Sequence, residues 1–316
     1  MSFAAAMLIA LLIDAVLGWP NAVFLRIGHP VTWLGRLISA LDARLNRDDQ
    51  SDIHRKAKGC IAALIVIAAA TLPALALQIW LPSTWATTLL VGILAWPFVA
   101  VRSMYQHVVA VADPLSKGAL NDARHAVAMI VGRDPAQLDA AGIARAATES
   151  LAENTGDGII APLFWGLVAG LPGIAAYKAI NTLDSMIGHR SPRHEAFGWA
   201  SAKIDDVANW VPARLTGLIF ALASYRLATS VQCMLRDAHL HRSPNAGWPE
   251  AAMAGALGVR LSGPRIYGDH VAPEPWVNAK APDPTAADLR RALALYCRAM
   301  FGVAGVLAIF AWGLEW

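Results

Sequence analysis

Apolar residues run through this chain in blocks of helical length, separated by shorter stretches where charge, proline and glycine collect. Residues 60–81 form the plainest block. Residues 85–101 follow after only Pro82-Ser83-Thr84, so the two predict a transmembrane helical hairpin with its turn outside. Residues 3–19 predict an earlier span, shorter than the ~20 residues usual for a crossing, with Asp14 near its end. Beyond the break at Gly28-His29-Pro30, residues 31–45 repeat apolar positions at helical spacing with Arg36 and Arg44 on the other side. That is the pattern of a helix lying on the membrane surface. Residues 102–152 are helical in pattern but too polar to span. Helices are expected at 119–131 and 136–152, divided by Gly132-Arg133-Asp134-Pro135, with Asp134 as N-cap of the second.

Residues 159–177 are apolar but broken by Gly170-Leu171-Pro172-Gly173, and residues 197–222 begin polar and turn into a span beyond Trp210. Residues 226–285 read as a polar, Pro/Gly-rich loop region, with Val259-Arg260-Leu261, Gly263-Pro264 and Ile266-Tyr267 predicting a small hairpin. Residues 293–312 are the last span. The fold class is therefore an all-α polytopic membrane protein. It has about five transmembrane helices, a broken or re-entrant segment, amphipathic surface helices and the polar loop region. Residues 1–316 form one integral-membrane domain, with 102–158 as a cytoplasmic helical insert.

Composition supports this reading: 56% of residues are hydrophobic and 16% charged, where a soluble protein carries about a quarter. The formal net charge of +3 and the absence of Lys/Arg runs give no sign of nucleic-acid binding. Cys60, Cys233 and Cys297 are scattered without metal-ligand spacing. The first apolar block has no Lys or Arg before it and contains Asp14, so it is expected to be a retained helix and not a cleaved signal. Arg44, Arg47, Arg55, Lys56 and Lys58 place their loop in the cytoplasm. The abundant Trp suits an interfacial belt.

The candidate chemistry lies between Glu149 and Arg214. Polar groups at that density beside hydrocarbon are costly, on the order of 2.5–3.5 kcal/mol per charge at a helix centre, which a mere anchor would avoid. Glu149 and Glu153 are four apart and share a helix face. Asn154-Thr155-Gly156-Asp157-Gly158 is expected to end that helix and free Asp157 to join them. Grouped carboxylates without paired cations suit Mg²⁺ with substrate phosphates; the bland alternative is a solvated acidic face. Asn181 with Asp184, and Asp205 with Asn209, are acid–amide pairs at helical spacing, fit for a metal or nucleotide or for polar glue between helices. Lys178, Arg190 and Arg214 suit phosphate neutralisation or interfacial anchoring. His29 and His189 suit proton transfer or structural hydrogen bonds. No P-loop, GxSxG, HExxH or CxxC pattern is present.

ESLAENTGDGIIAPLFW, AYKAINTLDSMIGHR, FGWASAKIDDVANWVPARLT and SPNAGWPEAAMAGALGVRLSGP resemble the cobalamin-biosynthesis family CobD/CbiB, adenosylcobinamide-phosphate synthase, as do GHPVTWLGRLI and ARHAVAMIVGRD. The match runs in order over essentially the whole chain. The resemblance implies a multi-pass inner-membrane enzyme with its active site on the cytoplasmic side. It would join the free propionate of adenosylcobyric acid to (R)-1-aminopropan-2-ol or its phosphate. The implied coupling source is ATP with Mg²⁺ through an acyl phosphate, the corrinoid being substrate and not cofactor; other corrinoid-pathway proteins are conceivable partners. Individual roles are our assignment. Glu149, Glu153, Asp157, Asp184 and His189 are the catalytic candidates. Asn154, Lys178, Asn181, Arg190, Asn209 and Arg214 are the substrate and phosphate ligands, and Glu153, Asp157, Asp184, Asp205 and Asp206 the metal ligands. A non-catalytic AmpE-like signalling protein is the main rival, and a transporter component a second.

A single crossing by residues 159–177 would separate the two halves of this site by ~30 Å of hydrocarbon. A re-entrant hairpin is therefore expected, turning at Gly170–Gly173 with arms of roughly 11 and 4–8 residues. The span after Trp210 would then run outward and residues 293–312 return, leaving the C-terminus cytoplasmic and residues 226–285 outside.

Overall fold

A computed structural model describes residues 1–131, 135–189, 191–267 and 270–313, and it is helical nearly throughout. The helices are α1 (Phe3–Leu17), α2 (Asn21–Ile27), α3 (Pro30–Leu45), α4 (Asp52–Trp80), α5 (Trp85–Ala95), α6 (Val101–Ser116) and α7 (Leu120–Ala128). They continue as α8 (Ala140–Thr155), α9 (Ala161–Ile187), α10 (Trp199–Ala208), α11 (Trp210–Ala223), α12 (Leu227–Asp237), α13 (Gly247–Leu257) and α14 (Ala286–Gly313). Among the described residues four helical runs are long and apolar enough to cross a membrane: Asp52–Trp80, Trp85–Ser116, Ala140–Ile187 and Ala286–Gly313. A fifth arises if α1 and Asn21–Leu45 count together, but these bend by 108°. The bend turns α3 away from α1, as its amphipathic pattern predicts. His29 makes that turn: its Nδ1 accepts from Val31 N–H at 3.2 Å, and Thr32 closes a capping box. His29 is thus a structural residue of the break.

The chain forms two compact units. The first comprises residues 1–100, 161–209 and 306–313, and is organised by a fold-back in α9. Gly170 has φ 67° and ψ −143°, outside the helical region and accessible chiefly to glycine. Trp165 and Gly173 would lie about 12 Å apart along a straight helix, yet a Cβ on Gly173 would overlap the Trp165 carbonyl. Ala161 and Tyr177, sixteen residues apart, belong to one core cluster with Ala208. The segment is therefore a helical hairpin, arms 161–169 and 171–187 lying side by side, with Ala161 level with Tyr177 and the second arm running on beyond it. Gln78 of α4 clamps its tip, accepting from Leu171 N–H at 2.9 Å and donating to the Ala169 carbonyl at 3.4 Å. It satisfies backbone groups that the break strips of helical partners, which lipid could not do.

The second arm runs antiparallel to α4. Ala179, Leu183 and Ile187 pack with Ala62, Ala63, Val66 and Ile38. At the base, Arg55 and Asn46 both donate to the Arg193 carbonyl, at 2.5 and 2.9 Å. At the tip end, Met1–Ala4, Ser83–Trp85, Thr88, Leu167 and Phe310 surround a cavity of about 570 Å³. The start of α1, the α4–α5 turn, the hairpin tip and the end of α14 thus share one level.

The second unit comprises residues 101–160 and 210–305. Its centre is α13, buried along almost its whole length and packed against α11 and α12. Small residues permit this: a Cβ on Gly255 would meet the Thr229 carbonyl and Cys233, and one on Gly217 would meet Met234 and the Trp248 carbonyl. Ser230 Oγ donates to the Ala252 carbonyl at 2.6 Å. After Gly258 caps α13 in the left-handed conformation, β1 (Leu261–Ser262) and β2 (Arg265–Tyr267) lead outward, and β3 (His270–Ala272) and β4 (Trp276–Val277) return. β1 pairs with β4 and β2 with β3, both antiparallel.

Several expectations are corrected. The chain does not leave helix at residues 154–158, because a π turn over Gly156–Ile160 joins α8 to α9. The second hairpin arm has 17 residues, since α4 covers it along its length. Residues 226–285 are no plain loop; they hold α12, α13 and a nested pair of ribbons. The predicted Val259–Tyr267 hairpin fails because β1 and β2 each pair with a later strand. Asp139 caps α8, its side chain accepting from Gly142 N–H at 2.7 Å, whereas Asp134 lies outside the described residues. Residues 197–222 divide at Asn209 into α10 and α11. The 14 residues of α11 reach about 21 Å, short of a ~30 Å crossing. The outward span expected there is missing, and α14 ends at the level of the hairpin tip instead of returning to the base.

Candidate active site

The predicted site residues fall into both units. In the first, the second arm of the hairpin carries a polar stripe opposite its α4-facing side. Tyr177, Asn181 and Asp184 follow one another at i, i+4 and i+7, with Lys178 beside them. Tyr177 Oη donates to Asn209 Oδ1 at 2.9 Å, and Asn209 Nδ2 donates to Asp205 Oδ2 at 3.0 Å. The indole of Trp165, on the first arm, donates to the Ala208 carbonyl at 3.1 Å. These bonds dock the end of α10 on both arms and settle Asp205 and Asn209 as a buried pair. One turn of helix away, Asp184 lies within electrostatic reach of His189 and Asp206. Asp206 pairs with Lys203 at 3.2 Å, and Lys178 lies within electrostatic reach of His29. Asp184 and Asp206 are half-buried and His189 is exposed, so this edge can meet a soluble ligand. Arg190 lies outside the described residues.

In the second unit, Glu149 is buried and its Oε1 accepts from Ser262 N–H at 2.7 Å. Ser262 has φ 59°, so the carboxylate holds a left-handed residue in the first strand. Glu153, four residues on, is exposed; the two carboxylates share a face in spacing but not an environment. Asn154 Nδ2 donates back to the Ser150 carbonyl at 2.9 Å, and half-exposed Asp157 sits on the π turn. The Arg214 guanidinium is stacked between Trp210 and Trp248, 4.3 and 4.4 Å from the ring centroids. One edge donates to the Trp210 carbonyl at 2.6 Å; the remaining edge donors suit an oxyanion. Among the described residues no three His, Cys, Asp or Glu side chains converge as a ready-made metal site.

Sequence reasoning missed Tyr177, although it stands one turn before Asn181 on the same stripe. It also missed a supporting cluster beside the ribbon. Asp283 accepts from Arg260 at 2.9 and 2.6 Å and from Arg145, and both guanidiniums lie over the Trp276 ring. The hydrogen bonds from Arg260 first, then the Arg145 guanidinium, hold the Asp283 carboxyl down at about 2 despite partial burial.

Apolar helices of crossing length, a hairpin clamped by a half-buried amide and a polar stripe at its base define a polytopic helical membrane protein. The chain belongs to the CobD/Cbib protein family, which residues 7–296 match. It is 64% identical to cobalamin biosynthesis protein CobD of Rhodobacter capsulatus over 98% of each chain. Proteins of the same name from Sinorhizobium sp and Brucella suis are 46% and 45% identical, over 94–96% of each chain. No solved structure matches.

Proposed function

We propose that this protein acts in cobalamin biosynthesis as the membrane ligase that forms adenosylcobinamide or its phosphate. The reaction joins the free propionate of adenosylcobyric acid to (R)-1-aminopropan-2-ol or its phosphate ester. The observation that supports this best is the α9 hairpin. It returns Tyr177, Asn181 and Asp184 to the level where α10 presents Asp205 and Asp206, forming one polar edge beside the membrane. Membership of the CobD/Cbib family and the likeness to cobalamin biosynthesis protein CobD support a role in that pathway.

A carboxylate is a poor acyl donor, so the propionate must be activated. In the proposed sequence its oxygen bonds to the γ-phosphorus of ATP and ADP departs. The neutral amine then bonds to the acyl carbon, phosphate leaves, and the ammonium proton passes to a base. Mg²⁺ bound with phosphates needs only one or two protein carboxylates, and Asp184 with Asp206 meets that requirement. The ion would offset phosphate charge. Lys178 suits the phosphate oxygens, and Asn181 a hydrogen bond to the nucleotide or amine; in the second unit the remaining edge of Arg214 is a phosphate candidate of its own. His189, exposed and beside Asp184, is placed to take the ammonium proton. In the second unit, Glu153, Asn154 and Asp157 remain ligand candidates in their own right. Asp205 and Asn209 act through Tyr177 as positioning residues. We assign this edge to the cytoplasmic side, where Mg-ATP is found.

The test is purified protein in lipid nanodiscs with cobyric acid, the amine or its phosphate, and Mg-ATP, with amide read by mass spectrometry and ADP counted. One ADP per amide is expected, and Asp184→Asn and Asp206→Asn should each lower turnover about 100-fold or more, several kcal/mol of transition-state charge stabilisation. Amide formation that persists without nucleotide, or at near-normal rate in both variants, overturns the mechanism.

A further inference from the structure

Away from these residues, the second unit holds a cavity of about 150 Å³ where the ends of α11 and α13 meet α14. Arg226, Arg291 and Arg298 line it, with Tyr225 at its edge, and none of its lining residues is acidic. Arg291, Ala294, Leu295 and Arg298 recur at i, i+3, i+4 and i+7, so α14 turns a single face into it. Part of this charge has a structural task. Arg298 Nε donates to the Ala223 carbonyl at 3.0 Å and one Arg291 nitrogen to the Leu257 carbonyl at 3.0 Å, each capping the carbonyl end of a helix. Arg291 also pairs with Asp288 at 2.7 Å.

Capping does not account for the whole cluster. A guanidinium has five N–H donors, and Arg298 uses one of its nitrogens. Arg226 lies against Gly258, where a Cβ would strike it, and among the described residues its guanidinium has no hydrogen-bonding or ion-pairing partner. Three positive charges face one carboxylate, that of Asp288, around a space with room for several waters. Planar forks converging with unused donors match the oxygens of a phosphate group. The surroundings fix the level. Arg298 lies within the apolar run of α14, while Leu222, Tyr225, Leu227 and Phe301 are exposed nearby. Basic groups bounded by exposed apolar and aromatic side chains mark the headgroup region of a bilayer.

We propose that Arg226, Arg291 and Arg298 form a binding site for a phosphate group at the membrane–water boundary, separate from the residues assigned to catalysis. The chemistry is common to an anionic phospholipid headgroup and to a small soluble phosphate, and two arms tell them apart. In the first, delipidated full-length protein is titrated with phosphatidylglycerol or phosphatidylcholine and lipid retention is read by native mass spectrometry. In the second, protein in phosphatidylcholine nanodiscs is titrated with inorganic phosphate and its thermal midpoint recorded. Arg226→Gln removes no side-chain hydrogen bond among the described residues, so it should melt with the wild type in the absence of ligand. It should weaken binding about tenfold or more in whichever arm is positive, the loss expected for one charge-assisted contact. Arg226→Lys should recover part of that loss. Selective retention of phosphatidylglycerol identifies lipid, and a midpoint rise with inorganic phosphate identifies the soluble ligand. Binding in neither arm, or binding indifferent to Arg226→Gln, overturns the site. These readouts do not depend on the ligase activity.

Discussion

Replacing Gly170 by alanine tests the hairpin at its tip. At φ 67°, ψ −143° an L-residue is strained by about 1–3 kcal/mol. The new Cβ would also run into Gln78 Oε1 and the Phe3 ring, an overpacking penalty of about 1–3 kcal/mol. Together Gly170→Ala should lose about 2–6 kcal/mol. Gln78→Ala acts differently, removing the acceptor of Leu171 N–H and leaving a buried donor unsatisfied at about 1–3 kcal/mol. The two are coupled, because truncating Gln78 clears the space that the alanine methyl needs. The double variant should be less destabilised than the sum of the singles, by about 1 kcal/mol or more. Reversible unfolding in mixed micelles, followed by tryptophan fluorescence, gives all four corners of the cycle. A Gly170→Ala protein within ~0.5 kcal/mol of wild type would mean that the chain does not turn there. The fold-back, and the shared level of Tyr177 and Ala161, would then have to be abandoned.

Two further outcomes follow from the same structure. Cysteines at Ser185 and Glu195, both exposed, should react with a membrane-impermeant maleimide from one face, and cysteines at Ser83 and Trp312 from the other; labelling of all four from one face contradicts the hairpin. The Asp283 carboxyl is held below its unfolded value of about 3.9, so its contribution to stability is full above that value and lost as pH falls through about 2. Stability measured between pH 5 and pH 2 should therefore drop more steeply in the wild type than in Asp283→Asn, and equal slopes would refute the assignment.

The helical blocks were legible because hydrocarbon allows few exceptions: 60–81, 85–101 and 293–312 are apolar over crossing length and lie within helical runs. The break at Gly170-Leu171-Pro172-Gly173 was also legible, since glycine and proline alter the backbone locally. The length of its second arm was not, because that depends on α4 lying alongside, a contact between residues more than a hundred positions apart. Residues 247–257 read as loop for a related reason. Gly247, Pro249 and Gly255 read as loop signals, and a helix buried on nearly every side shows no amphipathic stripe to offset them. In the site, the pairing of Asp205 with Asn209 follows from helical spacing. The retention of Glu149 by Ser262 N–H depends on a strand 113 residues later, so spacing could not distinguish it from exposed Glu153.

The crowding of helix ends around the hairpin tip bears on how the chain enters its membrane. At that level the α4–α5 link is the four-residue Leu81-Pro82-Ser83-Thr84, and the α9 arms are joined through Gly170 itself. Neither connection brings an acidic or basic side chain with it. During biogenesis, therefore, these two helix pairs can insert as closed loops, with scarcely any polar chain dragged through the hydrocarbon.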